Sequence, residues 1–139
     1  MTYLLDTNAC IAIMNGDAAV RGRLVRALNG HGTIVVSSVS AFELWYGAAK
    51  SARAEFNRQR IDAFFSGPIE LLSFDDAGAQ AAGLLRAGLE RTGTPIGAYD
   101  VLVAAHALSL GAVLVTDNER EFRRVPALAL ENWMRGEAP

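Results

Sequence analysis

Five short apolar segments, at residues 3–5, 33–36, 69–72, 112–115 and 128–130, are separated by stretches of helical pattern. Each is only three or four residues long and has no alternating polar face, so each must be covered on both sides. Short strands buried on both faces and joined through helices make a mostly parallel sheet with helices packed above and below it. The intervening helices read as residues 9–14, 18–28, 40–49, 53–65, 75–91 and 98–110, with a last helical turn at 119–122. Asn15-Gly16, the run Asn29-Gly30-His31-Gly32, Ser66-Gly67-Pro68 and Thr92-Gly93-Thr94-Pro95 punctuate them as turns. The expected class is α/β, organised as one domain over residues 1–133 with a short tail at 134–139.

Composition agrees with a packed domain. The chain has 139 residues, 51% hydrophobic and 20% charged, enough apolar material for one core and too little charge for disorder. A single cysteine, Cys10, has no intramolecular partner and fits a reducing compartment. No basic-then-apolar leader opens the sequence, and the longest apolar run, 101–115, is interrupted by His106 and Gly111. It reads as a helix followed by a strand, and the expectation is a cytoplasmic protein with no membrane span. Net charge is −2, yet the basic residues are twelve arginines and one lysine, grouped at Arg21/Arg23/Arg26, Lys50/Arg53/Arg58/Arg60 and Arg120/Arg123/Arg124. Such groups suit either solvated helix faces or contacts to a phosphate backbone.

Function is carried by four carboxylates in separate motifs: Asp6 in LLDTN, Glu43 in SAFELWYG, Asp100 in PIGAYDVLVAAHA and Asp117 in VTDN. In open α/β sheets the functional crevice lies outside the carboxyl ends of the strands. Asp6 follows the first strand, Glu43 falls in the helix after the second, and Asp117 follows the strand at 112–115. Asp100 opens a helix that enters the same layer. If the strands are parallel neighbours, all four face one edge. Each acid also has a structural reading. Ser40 and Glu43 fit a capping box, Asp6 fits a helix cap, Asp100 complements a helix dipole, and Asp117-Asn118 fits an Asx-turn. Asp75-Asp76 is assigned to capping alone. A cluster of acids with no lysine or histidine in its motifs is costly unless a cation neutralises it, which points to a divalent metal site.

Other chemistries fit less well. A haloacid-dehalogenase-type phosphatase needs a second aspartate where Asn8 stands. A receiver domain needs a late lysine, whereas the one lysine is Lys50. No Gly-rich phosphate loop is present. His106 lies six residues beyond Asp100, on a different helix face, and reads as structural.

The ordered set Asp6-Thr7-Asn8, Glu43-Leu44 with Gly47, Gly97-Ala98-Tyr99-Asp100 leading into Val103-Ala104-Ala105, and Val115-Thr116-Asp117-Asn118 resembles the PIN domain. With Glu121-Phe122-Arg123-Arg124-Val125 and Leu130-Glu131-Asn132-Trp133 it is most similar to VapC-type toxins, over nearly the whole chain. The resemblance implies a three-layer α/β/α sandwich with a short, mostly parallel central sheet. It also implies a Mg²⁺- or Mn²⁺-dependent endoribonuclease that leaves a 5′-phosphate and a 3′-hydroxyl. Asp6 and Asp100 are then the principal metal ligands, Glu43 completes the cluster and Asp117 is a fourth member. Thr7 and Asn8 orient Asp6, Thr116 holds the fourth carboxylate, and Ser40 contacts metal-bound water or caps its helix. Tyr46, Trp45 and Tyr99 are stacking surfaces for RNA or packing residues. The implied partners are RNA, a VapB-type antitoxin whose arginine enters the acidic cleft, and a second copy of the chain in a homodimer. A catalytically silent PIN-like module that binds RNA or protein is the alternative.

Overall fold

The computed structural model describes residues 1–135. Its five strands, β1 (Thr2–Leu5), β2 (Thr33–Ser37), β3 (Glu70–Leu72), β4 (Val113–Val115) and β5 (Leu130–Glu131), form one sheet in the order β3-β2-β1-β4-β5. Every pairing is parallel. The helices are α1 (Thr7–Met14), α2 (Ala18–Asn29), α3 (Ser38–Lys50), α4 (Ala54–Phe65), α5 (Asp76–Arg91), α6 (Ala98–Leu110) and α7 (Glu119–Phe122).

Strand alternation divides the apolar side chains between two cores. Tyr3 and Leu5 of β1, Ile34 and Val36 of β2 and Val115 of β4 meet Cys10, Val20, Leu24, Leu44 and Ile61 on one face. Leu4, Val35 and Leu114 meet Val103, Ala104, Ala107 and Phe122 on the other. The expected three-layer sandwich is what the chain forms. The apolar run at 101–115 divides at Gly111, which closes α6 in the left-handed region at φ 62°. No helix among the described residues is long and apolar enough to cross a membrane.

Two local expectations are corrected. Ser37, not Ser40, caps α3, its hydroxyl accepting from Val39 N at 3.1 Å. Glu43 is therefore in the second turn, beyond reach of the cap, and the capping-box reading fails. The ordered body also runs past Trp133: Met134 packs on the first core, and the amides of Met134 and Arg135 donate to Asn132 Oδ1. Of the expected tail, residues 136–139 lie outside the described part.

Candidate functional site

Parallel pairing carries the backbone ladder one residue past the strands, and this is what sets the first acids in place. Asp6 N donates to Val115 O at 3.0 Å, and Thr116 N to Glu131 O at 3.0 Å. Asp6 and Thr116-Asp117 therefore leave neighbouring strands at one height on the carboxyl edge. Asp6 is 8% exposed and also caps α1, with Oδ1 accepting from Ala9 N at 2.8 Å. The structural reading of this residue as a helix cap is what the chain shows.

The residues after Asp6 serve the other acids. Thr7 Oγ1 donates to Glu43 Oε1 at 2.8 Å, and Asn8 Nδ2 to Asp117 Oδ1 at 3.3 Å. The expectation that Thr7 and Asn8 orient Asp6 is corrected: they brace its neighbours. Thr116 likewise hydrogen-bonds Asp6, and its hydroxyl accepts from Asn118 N at 2.9 Å. That bond makes the turn after β4, in place of the expected Asx-turn at Asp117-Asn118.

Asp100 stands in the first turn of α6, whose cap, Gly97, has no side chain to offer its amides. Glu121 of α7 fixes the cap residue instead: Oε1 accepts from Gly97 N at 2.7 Å and Oε2 from Asn118 Nδ2 at 2.7 Å. A Cβ on Gly97 would stand 3.2 Å from Asp100 Oδ2, so glycine there leaves the carboxylate its place. Glu121 is a site residue that reading the four motifs missed. No spacing within the motifs signals it, because Asp117 precedes α7 and the bond to Gly97 N spans 24 positions.

The electrostatics follow from this crowding. Burial, first, and then the charges of Asp117 and Glu43 push the Asp6 carboxyl from its ordinary 3.8 up to about 6, against the hydrogen bonds from Thr116 and Ala9. Asp100 is also raised to about 6, by burial and then by the charges of Glu121, Glu43 and Asp6. Glu121 is held below the usual range by the Gly97 amide. Of the two, Asp100 is therefore the one that takes up a proton first. All four expected acids interact electrostatically, joined by a fifth, and the crowding of negative charge favours protonation of Asp6 and Asp100.

Among the described residues, no three carboxylates converge as a ready-made set of direct ligands. The donor set is all oxygen and suits a hard cation that keeps several waters and takes only one or two carboxylates directly. Ser40 adds to that fit. It is fully buried one turn before Glu43, and its Oγ has no hydrogen-bond partner.

Other candidates lie elsewhere. Trp45 packs against Phe65 and under Arg58. Phe42, Tyr46 and Tyr99 form an exposed aromatic strip beside the acids, with Phe42 5.6 Å from Tyr99 and 6.3 Å from Tyr46. Several arginines are held by the fold: Arg21 by Ile13 O, Arg23 by Glu131, Arg60 by Asn15 and Arg124 by Pro95 O. Cys10 is core and His31 sits in a turn at φ 62°.

Comparison with known proteins bears on this edge. The family model described as PIN domain matches residues 3–128. A tRNA(fMet)-specific endonuclease VapC of Shigella flexneri is 45% identical over 134 residues, 96% of this chain and 98% of that protein. Ribonuclease VapC2 of Rickettsia felis is 40% identical over 133 residues, 96% and 98% of the two chains. In the solved structure of VapBC2 from Rickettsia felis bound to a promoter DNA fragment, one chain superposes with a TM-score of 0.90 at 39% identity, covering 96% of this chain and 99% of that one.

Proposed function

The chain belongs to the PIN-domain family and within it to the VapC ribonucleases, toxin halves of toxin–antitoxin pairs, and from that premise we propose how its carboxyl edge works. Asp6 and Asp100 are the principal ligands of Mg²⁺ or Mn²⁺, with Glu43, Asp117 and Glu121 around them, and the reaction is hydrolysis of RNA phosphodiester bonds. The observation that carries this reading is the meeting of acids from four separate motifs, two of them pushed to about 6.

When bound, the cation lowers the pKa of a coordinated water and offsets charge on the phosphate oxygens. The chain's own residues prepare the site for that. At neutral pH Asp6 and Asp100 are largely ionised and would hold the cation, whereas below about pH 6 protons would compete with it. Thr7 fixes one oxygen of Glu43 and leaves the other to orient a water, and Asn8 does the same for Asp117. Ser40 supplies a hydroxyl for a cation-borne water. Glu121 spans Gly97 and Asn118, so that Asp100 keeps its position when it ionises.

The known complexes of this group pair toxin with VapB antitoxin, and the surface here offers a seat for one. A 260 Å³ groove between α1, α3 and α4 is lined by Ile11, Met14, Leu44, Ala48 and Ile61, with Glu43 and Arg60 among its polar lining. An antitoxin segment with apolar side chains fits the groove, and an arginine following it reaches the acids. The Phe42–Tyr46–Tyr99 strip, too apolar to stay bare beside a charged cleft, suits the second copy of a homodimer.

The test is incubation of antitoxin-free protein with total cellular RNA in Mg²⁺, in Mn²⁺ and in EDTA. Discrete fragments in either metal and none in EDTA are expected. Because the Shigella flexneri relative is named for tRNA(fMet), that RNA is the first to map. Intact RNA in all three, from protein shown to be folded and metal-bound, would favour a silent binding module.

A further inference from the structure

His106 lies on the far side of α6 from Asp100, 3% exposed, and nothing in the chemistry above uses it. Its Nδ1 is 2.8 Å from Ser37 Oγ. Ser37 ends β2 and caps α3, the helix that carries Glu43. The bond therefore ties the helix of Asp100 to the helix of Glu43. The tie is symmetric: Glu43 is six residues beyond Ser37, and Asp100 six before His106. At 1.5 Å per residue each carboxylate lies about 9 Å along its helix from the shared bond.

The surroundings make this a joint rather than a casual contact. The Phe74 ring meets the imidazole edge-on, centroids 5.6 Å apart at 81°. Phe74 N in turn donates to Ser38 Oγ at 2.9 Å, so the loop before α5 is fastened to the first residue of α3. Burial pulls the His106 pKa down, with Asp75 opposing, and the ring is neutral at physiological pH. A neutral imidazole and a hydroxyl bond in either tautomer, which leaves the joint uncharged inside the core.

We propose that His106 is a positioning residue: through Ser37 it sets the spacing between Glu43 and Asp100 and thereby the affinity of the acid cluster for a divalent cation. This rests on the metal reading above. Groups bonded directly to a metal's ligands typically contribute 10–100-fold to affinity, and a joint that acts through two helices is expected at the lower end of that range.

The experiment measures Mn²⁺ affinity by calorimetry on antitoxin-free protein, with thermal stability recorded in parallel. His106→Leu keeps the bulk and removes the bond, His106→Asn restores a group that bonds Ser37 from the same place, and Leu24→Ala loosens the core on the opposite face of the sheet, away from α6. His106→Leu is expected to bind Mn²⁺ about tenfold more weakly, His106→Asn to recover most of that, and Leu24→Ala to bind as wild type despite its lost stability. Ser37→Gly, which keeps an acceptable cap, reports from the other end and is expected to match His106→Leu. Wild-type affinity in His106→Leu and Ser37→Gly, or an equal loss in Leu24→Ala, overturns the proposal. If wild-type protein binds no Mn²⁺, the metal reading alone fails. The Glu43–Asp100 separation in crystals of His106→Leu then decides: a changed separation supports the joint and an unchanged one refutes it.

Discussion

Asp6→Asn and Asp100→Asn are expected to abolish RNA cleavage and, in the same proteins, to raise stability at neutral pH. The loss follows from removing a principal ligand charge. If the cation contributes several kcal/mol to the transition state, the rate falls by about 10³-fold or more. The gain follows from relieving the charge that the fold strains to hold. Moving Asp6 from 3.8 to about 6 corresponds to roughly 3 kcal/mol against the ionised form. Asparagine caps helices as well as aspartate does, so the bond from Ala9 N survives the change. Because the amide replaces only part of the carboxylate's hydrogen bonding, a net gain on the order of 1 to 2 kcal/mol is expected for Asp6→Asn. The gain is smaller for Asp100→Asn, at a more open position. Cleavage assays and thermal melts on the same preparations read both effects. An inactive variant that is also less stable would mean that these acids are structural caps first.

The second large effect is the exchange of protons for metal. Both raised aspartates bind a proton in the folded chain at pH values where the unfolded chain has released it. Their contribution to stability is therefore fully present below about pH 4 and is lost as pH rises through about 6. Metal-free protein should show this loss between pH 4 and 6.5, and the double variant Asp6→Asn/Asp100→Asn should show less of it. A divalent cation restores at neutral pH what the protons supplied. At one hundred times its dissociation constant it contributes about 2.7 kcal/mol. The Mn²⁺-induced rise in melting temperature is thus expected to be large at pH 7.5 and small at pH 5, where protons compete. Equal shifts at both pH values would place the ion elsewhere.

The fold was legible because the strands announce themselves. TIVVS and the segment around Leu4-Leu5 are apolar on both faces, and only a parallel sheet under two helical layers satisfies them. The meeting of Asp6, Glu43 and Asp117 follows from the same fact, since acids placed after parallel neighbouring strands share an edge. What stayed hidden depends on contacts between segments far apart in sequence. Glu121 serves the site by accepting from Gly97 N, 24 positions away, and a short helical turn carries no mark of that. The pattern S-x-x-E pointed to Ser40 as the cap of α3. The choice of Ser37 is made by the pairing of β2 with β3, which keeps Ser37 in the strand opposite Leu72. The arginine groups suited either solvated helix faces or phosphate contacts in the sequence, and Arg21 and Arg124 prove to be spent on backbone carbonyls that no spacing reveals.

On the reading proposed above, a divalent cation is held at the carboxyl edge by Asp6 and Asp100. Anomalous diffraction from a crystal of the antitoxin-free protein grown in Mn²⁺ tests it most directly. The account predicts a peak at coordination distance from both carboxylates, with Glu43 and Asp117 reaching it directly or through water, and no peak at that place in Asp100→Asn crystals. A peak bound elsewhere, or none at Mn²⁺ concentrations that support cleavage, would contradict it.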